Sequence, residues 1–176
     1  SWQQRNGFPC HIAAFLAASA SEGLHAAHEL RNSSGELLEI VHRDVSPHNF
    51  IVGYDGVIRI TDFGVVKVSN AVRHSQSGIK GKVSYMAPEQ ALAKALDRRT
   101  DLFALGIVIW EMLAGKRLFK SSTDFATMRN VCMRVVYPPS AFNSKVPQEL
   151  DEIVLKLLQR DRDCRYATAR EVADDL

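Results

Sequence analysis

Cysteine is scarce in this chain: Cys10, Cys132 and Cys164 are the only three among 176 residues. An odd number, far apart and without a Cys-x-x-Cys pair, excludes a disulfide framework and a cysteine-built zinc site. It predicts reduced thiols in a cytoplasmic setting. Long hydrophobic runs are also missing. The longest near the N-terminus, Ile12 to Ala20, is too short and too rich in alanine to span a bilayer, and no basic region or cleavage motif makes it a signal peptide. Charge of one sign is lacking, with 22 Lys and Arg against 20 Asp and Glu and a formal charge of +2. That balance gives no reason to expect nucleic acid as a partner. No Gly-x-Gly-x-x-Gly occurs, so no glycine-rich phosphate cradle is encoded in this window. The chain opens on Ser1 rather than Met, which predicts a piece of something longer and is compatible with a membrane tether lying elsewhere.

What is present is an ordinary globular balance, 46% hydrophobic and 24% charged, in a length that fits one domain with a respectable core. Pro9 followed by Ile12, Leu16, Ala20, Leu24 and Ala27 at helical spacing predicts a long helix over residues 9–30. Asn32-Ser33-Ser34-Gly35 ends it. Extended pieces are expected at Leu37 to Val41, Phe50 to Gly53 and Val57 to Thr61, the last two joined by a Tyr54-Asp55-Gly56 hairpin. Residues 65–84, with much Ser, Gly and Lys, read as a loop. Helices follow over Glu89 to Lys94, Asp101 to Ala114 capped by Gly115, Thr123 to Val135, and Gln148 to Gln159. In the last of these, Leu150, Ile153, Val154, Leu157 and Leu158 form an amphipathic stripe. Thr168 to Glu171 is a capping box for a final helix. The fold class is mostly α with a small antiparallel β element, an α+β domain.

Three short motifs stand in order on that frame: His42-Arg43-Asp44-Val45-Ser46-Pro47-His48-Asn49, then Asp62-Phe63-Gly64, then Met86-Ala87-Pro88-Glu89. They bring Asp44, Asn49 and Asp62, side chains that handle protons or hard metals, to the spacing that phosphoryl transfer to a hydroxyl requires. His42, Asp44, His48 and Asp62 would also suit a transition metal by type, but no His-x-His or His-Glu-x-x-His arrangement supports a metallohydrolase. The order and spacing resemble the eukaryotic-type protein kinases, of the bacterial Ser/Thr kind, with their H-R-D-x-x-x-x-N, D-F-G and A-P-E. The resemblance runs through nearly the whole chain but covers only the C-terminal lobe of that fold, here residues 1–176.

The resemblance implies ATP and Mg²⁺ as cofactors and a protein hydroxyl as acceptor. Asp44 would be the base that orients that hydroxyl and takes its proton. Asn49 and Asp62 would hold Mg²⁺ against the phosphates. His42 would pack on Phe63, with Gly64 completing the motif. Arg43 would receive a phosphate on Ser75 or Ser77, with Ser69 less favoured. Asp101 would hold the catalytic-loop backbone, and Glu89 would form a buried ion pair with Arg165. Taken alone, each residue also has a plainer reading: a turn for Asp44, Asn49 and Asp62, an N-cap for Asp101. The peptide-selecting surface is expected to involve Glu111 and the loop after Gly78.

Two departures matter. The Lys usual two residues after the catalytic Asp is Ser46 here, and the Thr usual before the Y-x-A-P-E segment is Lys82. An exchange is the reading: the amine comes from Lys82 and the small hydroxyl from Ser46. Pro47 and Tyr85 favour Ser/Thr over Tyr acceptors. The larger departure is that no V-A-I-K strand precedes residue 42, so the N-terminal ATP lobe must be supplied in cis. The alternative is a non-catalytic remnant serving as a binding or scaffolding module.

Overall fold

A computed structural model describes residues 7–54, 56–63 and 82–176, with Lys82 described by its backbone alone. Helix α1 spans Cys10–His28, β1 Phe50–Val52, β2 Ile58–Ile60, α2 Pro88–Ala91, α3 Arg99–Ala114, α4 Asp124–Met133, α5 Gln148–Leu157 and α6 Ala169–Asp175. The described chain is mostly helical with one two-stranded antiparallel sheet.

Helix α3 is the axis of the core. From Thr100 to Ala114 every residue except Met112 is buried, as expected of a helix apolar on all sides. Gly106 lets α5 approach: a Cβ there would lie 2.8 Å from the Cβ of Leu157. Gly115, at φ 67°, ends α3 in the left-handed conformation, with its N–H bonded to Glu111 O. Around this axis pack α1, α5 and the Pro139–Ala141 turn, while α1 also carries α6 and β2.

Helix α1 buries Ala13, Ala17, Ala20, Ser21, Leu24, Ala27 and His28. Ile12 is exposed and Leu16 only half-buried, so the buried face is rotated from the one the apolar spacing predicts. Close helix packing selects small residues, and alanines fill that contact better than Ile12 would. The extended piece expected over Leu37 to Val41 reduces to a single antiparallel bridge, Arg31 to Leu37. Asn32 closes that turn by accepting from the N–H groups of Ser34 and Glu36.

The sheet pairs Phe50 with Ile60, Ile51 with Arg59 and Val52 with Ile58. Gly53 and Gly56 make its turn, Gly56 at φ 78°. The register continues one step beyond the strands, because Thr61 N donates to Asn49 O at 2.9 Å. The last residue of the first motif therefore lies against the residue preceding Asp62. Helices α2, α4 and α5 run shorter than the sequence reading, at Pro88–Ala91, Asp124–Met133 and Gln148–Leu157.

Candidate active site

The first turn of α3 anchors the site. Asp101, 1% exposed, accepts three N–H donors. Its Oδ2 takes His42 N and His28 Nε2, each at 2.8 Å, and its Oδ1 takes Arg43 N at 2.8 Å. Charged acceptors make the stronger hydrogen bonds, and stranding this buried carboxylate would be costly. The carboxylate thus ties α1, α3 and the loop carrying Asp44 together.

The loop itself is stitched residue by residue. His42 is fully buried; its Nε2 donates to Thr61 O at 3.0 Å and its Nδ1 accepts from Asp44 N at 3.2 Å. Both ring nitrogens are thereby engaged within the site's own backbone. Its ring sits 4.5 Å from that of Phe63, centroid to centroid. Asn49, buried, donates from Nδ2 to Asp44 O at 2.7 Å, and its backbone N bonds Ser46 O. Asp62 is exposed and follows Thr61, whose N–H bonds the Asn49 carbonyl. Arg43 and Asp62 both hold left-handed backbone, at φ 66° and 59°. Each non-glycine residue in that region stores about 1–2 kcal/mol, of the sort found where geometry is held for function.

Ser46 opens the Pro47–Asn49 turn, yet its side chain caps nothing. It is 2% exposed, and among the described residues its Oγ is without a hydrogen-bond partner. The Lys82 side chain, Gly64, Ser75 and Ser77 lie outside the described residues.

Helix α2 meets this loop through a residue the sequence reading missed. Gln90 accepts from Ala87 N with Oε1 and donates from Nε2 to Arg43 O, both at 2.9 Å. One amide therefore joins the segment after Lys82 to the residue preceding Asp44. His28 was also missed, since its bond to Asp101 spans 73 positions and has no local signal.

Glu89 and Arg165 lie in bidentate contact at 2.8 and 2.9 Å, both buried, with Thr100 Oγ1 adding a bond to Glu89. Burial pushes the Glu89 carboxyl up, but the bonds from Arg165 outweigh it and bring the pKa below the usual carboxylate range. Glu111 departs from expectation. Rather than facing a peptide, it is 1% exposed, accepts from Tyr85 OH and Leu118 N, and is closed over by Arg117 at 3.3 Å. Burial raises its pKa. Among the described residues, no group of three or more His, Cys, Asp or Glu side chains is placed to hold a metal ion.

Residues 2–175 match the family model described as the protein kinase domain. The chain belongs to the protein kinase family. It is 38% identical over 175 residues to the tyrosine-protein kinase MasK of Myxococcus xanthus, covering 99% of this chain and 27% of that protein. It is 38% identical over 169 residues to the DNA damage-responsive serine/threonine-protein kinase RqkA of Deinococcus radiodurans, covering 94% and 24%. With the serine/threonine-protein kinase PrkC of Bacillus subtilis it shares 34% identity over 140 residues, covering 78% and 22%. The chain therefore spans about a quarter of the length of these kinase relatives. Among the described residues, no helix is long and apolar enough to cross a membrane.

Proposed function

We propose that this chain is the C-terminal lobe of a cytoplasmic protein serine/threonine kinase, carrying the base and metal half of a site that moves the γ-phosphate of ATP to a protein hydroxyl. The observation that carries the reading is the hold on Asn49: its side-chain nitrogen is bonded to the Asp44 carbonyl, and its own carbonyl accepts from Thr61 N, the residue preceding Asp62. A neutral and a charged hard oxygen fit Mg²⁺, which takes few protein ligands and keeps water and phosphate for the rest. Asn49 and Asp62 hold the ion, whose charge offsets that of the phosphates when bound. Asp44 orients the acceptor hydroxyl and takes its proton late in a loose transition state.

Lys82 supplies the phosphate-facing amine and Ser46 the small hydroxyl; the Oγ of Ser46, without a partner among the described residues, supports this, having capacity for one more bond. The exposed Arg43 receives a phosphate on Ser75 or Ser77. An N-terminal lobe encoded upstream clamps ATP, and the isolated chain turns over little or none. Acceptor type follows the names of RqkA and PrkC, while MasK, named for tyrosine, makes the acceptor a variable worth measuring.

The test is transfer from radiolabelled ATP·Mg²⁺ by the full-length protein onto Ser, Thr and Tyr peptides, beside Asp44→Asn. A loss of about 10²–10⁴-fold in the variant is expected. Equal incorporation by both forms would remove Asp44 from its role. A preference for Tyr would overturn the acceptor assignment alone.

A further inference from the structure

Glu111 is a buried carboxylate that the proposed chemistry leaves unused, and its surroundings are specific. It borders an apolar cavity whose other walls include Leu16, Ala17, Phe50, Val108 and Met112. Among the described residues no other ionisable side chain lines that space. A carboxylate so buried is driven toward its neutral form unless a cation or donors offset the loss of water. Burial does raise the Glu111 pKa, while the Leu118 N–H, the Arg117 charge and the Tyr85 hydroxyl pull it back.

The end of α3 supplies that cation. Gly115, in its left-handed conformation, turns the chain back and brings Arg117 and Leu118 onto the Glu111 side chain. Leu118 N donates to Glu111 Oε1 at 3.0 Å, and Arg117 Nε lies 3.3 Å from the same oxygen. The Arg117 guanidinium also covers the Tyr85 ring, 4.9 Å from its centroid. Among the described residues no other cation pairs with Glu111.

What Glu111 holds in turn is the segment leading into Ala87-Pro88-Glu89. Tyr85 is buried and donates its hydroxyl to Glu111 Oε2 at 2.9 Å. Burial pushes the phenol well above its usual range, so it stays a donor at any ordinary pH. Tyr85 closes the Lys82–Tyr85 turn, and Gln90 farther along bonds the Arg43 carbonyl. The stretch between Lys82 and the loop of Asp44 is thus tied at two points. Tyr85 is the tie to α3.

We propose that Arg117 is a positioning residue for phosphoryl transfer: it keeps Glu111 an acceptor for Tyr85, and so fixes the Lys82–Tyr85 turn relative to Asp44. The inference rests on the kinase reading for what the turn does, not for how it is held. Protonation of Glu111 turns one carboxyl oxygen into a donor and sets it against Tyr85 OH or Leu118 N. The turn then loses its tie to the core helix.

Two measurements on the full-length protein decide it. In the first, without ATP, hydrogen exchange is followed at the Met86 amide, which bonds Val83 O across the turn. Arg117→Met should cut its protection at least about fivefold, and protection should recover as rising pH ionises the carboxyl, intrinsic exchange rates being divided out. Arg117→Lys keeps a cation and should stay close to the parent. So should Glu111→Gln/Arg117→Met, at every pH, because the amide accepts from Leu118 N and donates to the Tyr85 oxygen without a cation. Parent-like protection in Arg117→Met, or no recovery with pH, overturns the proposal. If Arg117→Met does not fold, the other two variants decide, and lost protection in either overturns it.

In the second, phosphorylation of a Ser peptide is measured. Arg117→Met should lower kcat/KM for the peptide about tenfold and leave KM for ATP within about twofold. Its activity relative to the parent should rise with pH. In a Tyr85→Phe background the same substitution should add nothing. A variant-to-parent ratio that ignores pH, or additive losses, overturns the proposal. Absence of transfer by the parent fails the kinase reading and leaves the exchange result to decide how the turn is held.

Discussion

Arg165 grips both carboxylate oxygens of Glu89 from across 76 positions of sequence, and the same guanidinium bonds the carbonyls of Gln159, Arg99 and Arg160. Each end of the pair is fully supplied with partners. That is the condition under which a buried ion pair holds its place instead of destabilising it.

Removing one partner should be costly. Glu89→Ala or Arg165→Ala is expected to lower unfolding free energy by about 3–5 kcal/mol, since each strands a buried charge. Urea titration of the single variants and the double variant checks this, with the double expected to lose less than the sum. The pair also sets an acid limit. Because the folded Glu89 titrates below the unfolded side chain, its contribution is complete above about pH 4.3 and is lost as pH falls through the lower folded value. Melting temperature against pH should therefore fall less steeply across that window in Glu89→Gln than in the parent, and parallel curves would contradict the assignment.

Asp101 is expected to fail in a different way. Asp101→Asn keeps shape but must turn an NH₂ group toward His42 N or Arg43 N, where a donor meets a donor. A loss of about 2–4 kcal/mol follows from one charge-assisted bond removed and one buried donor left unpaired. Hydrogen exchange at the His42 and Arg43 amides should speed up selectively; unchanged exchange there would mean the carboxylate does not hold the loop.

Gly106 tests the packing of the axis. Gly106→Ala should destabilise by about 1–3 kcal/mol, because the new methyl meets Leu157 Cβ at 2.8 Å. Leu157→Ala removes the side chain beyond that Cβ and gives α5 room to shift, so the double variant should be more stable than the sum of the singles predicts. Additive losses in thermal melts would place the strain elsewhere.

The motifs were legible because each is a short run of few residue types in a set order, and the family match over residues 2–175 spans all three. Element types came through for the same kind of reason, with α3 apolar throughout and α5 striped on one side. The buried face of α1 did not, because spacing rewards Ile12 while close helix packing rewards Ala13 and Ala17. Glu111 misled for a related cause: a carboxylate in a largely apolar helix leaves no mark of whether it faces a peptide or a neighbouring arginine. Gln90 and His28 were silent because their partners are a carbonyl and a distant carboxylate, neither of which leaves a local pattern.

One consequence of the three-way hold on Asp101 concerns heat. The helix at the centre of the domain and the backbone of the loop carrying Asp44 share this fastener, so loosening one loosens the other. Exposure of the His42 and Arg43 amides and collapse of the core should then share one midpoint, leaving no temperature at which the domain stands intact with that loop disordered.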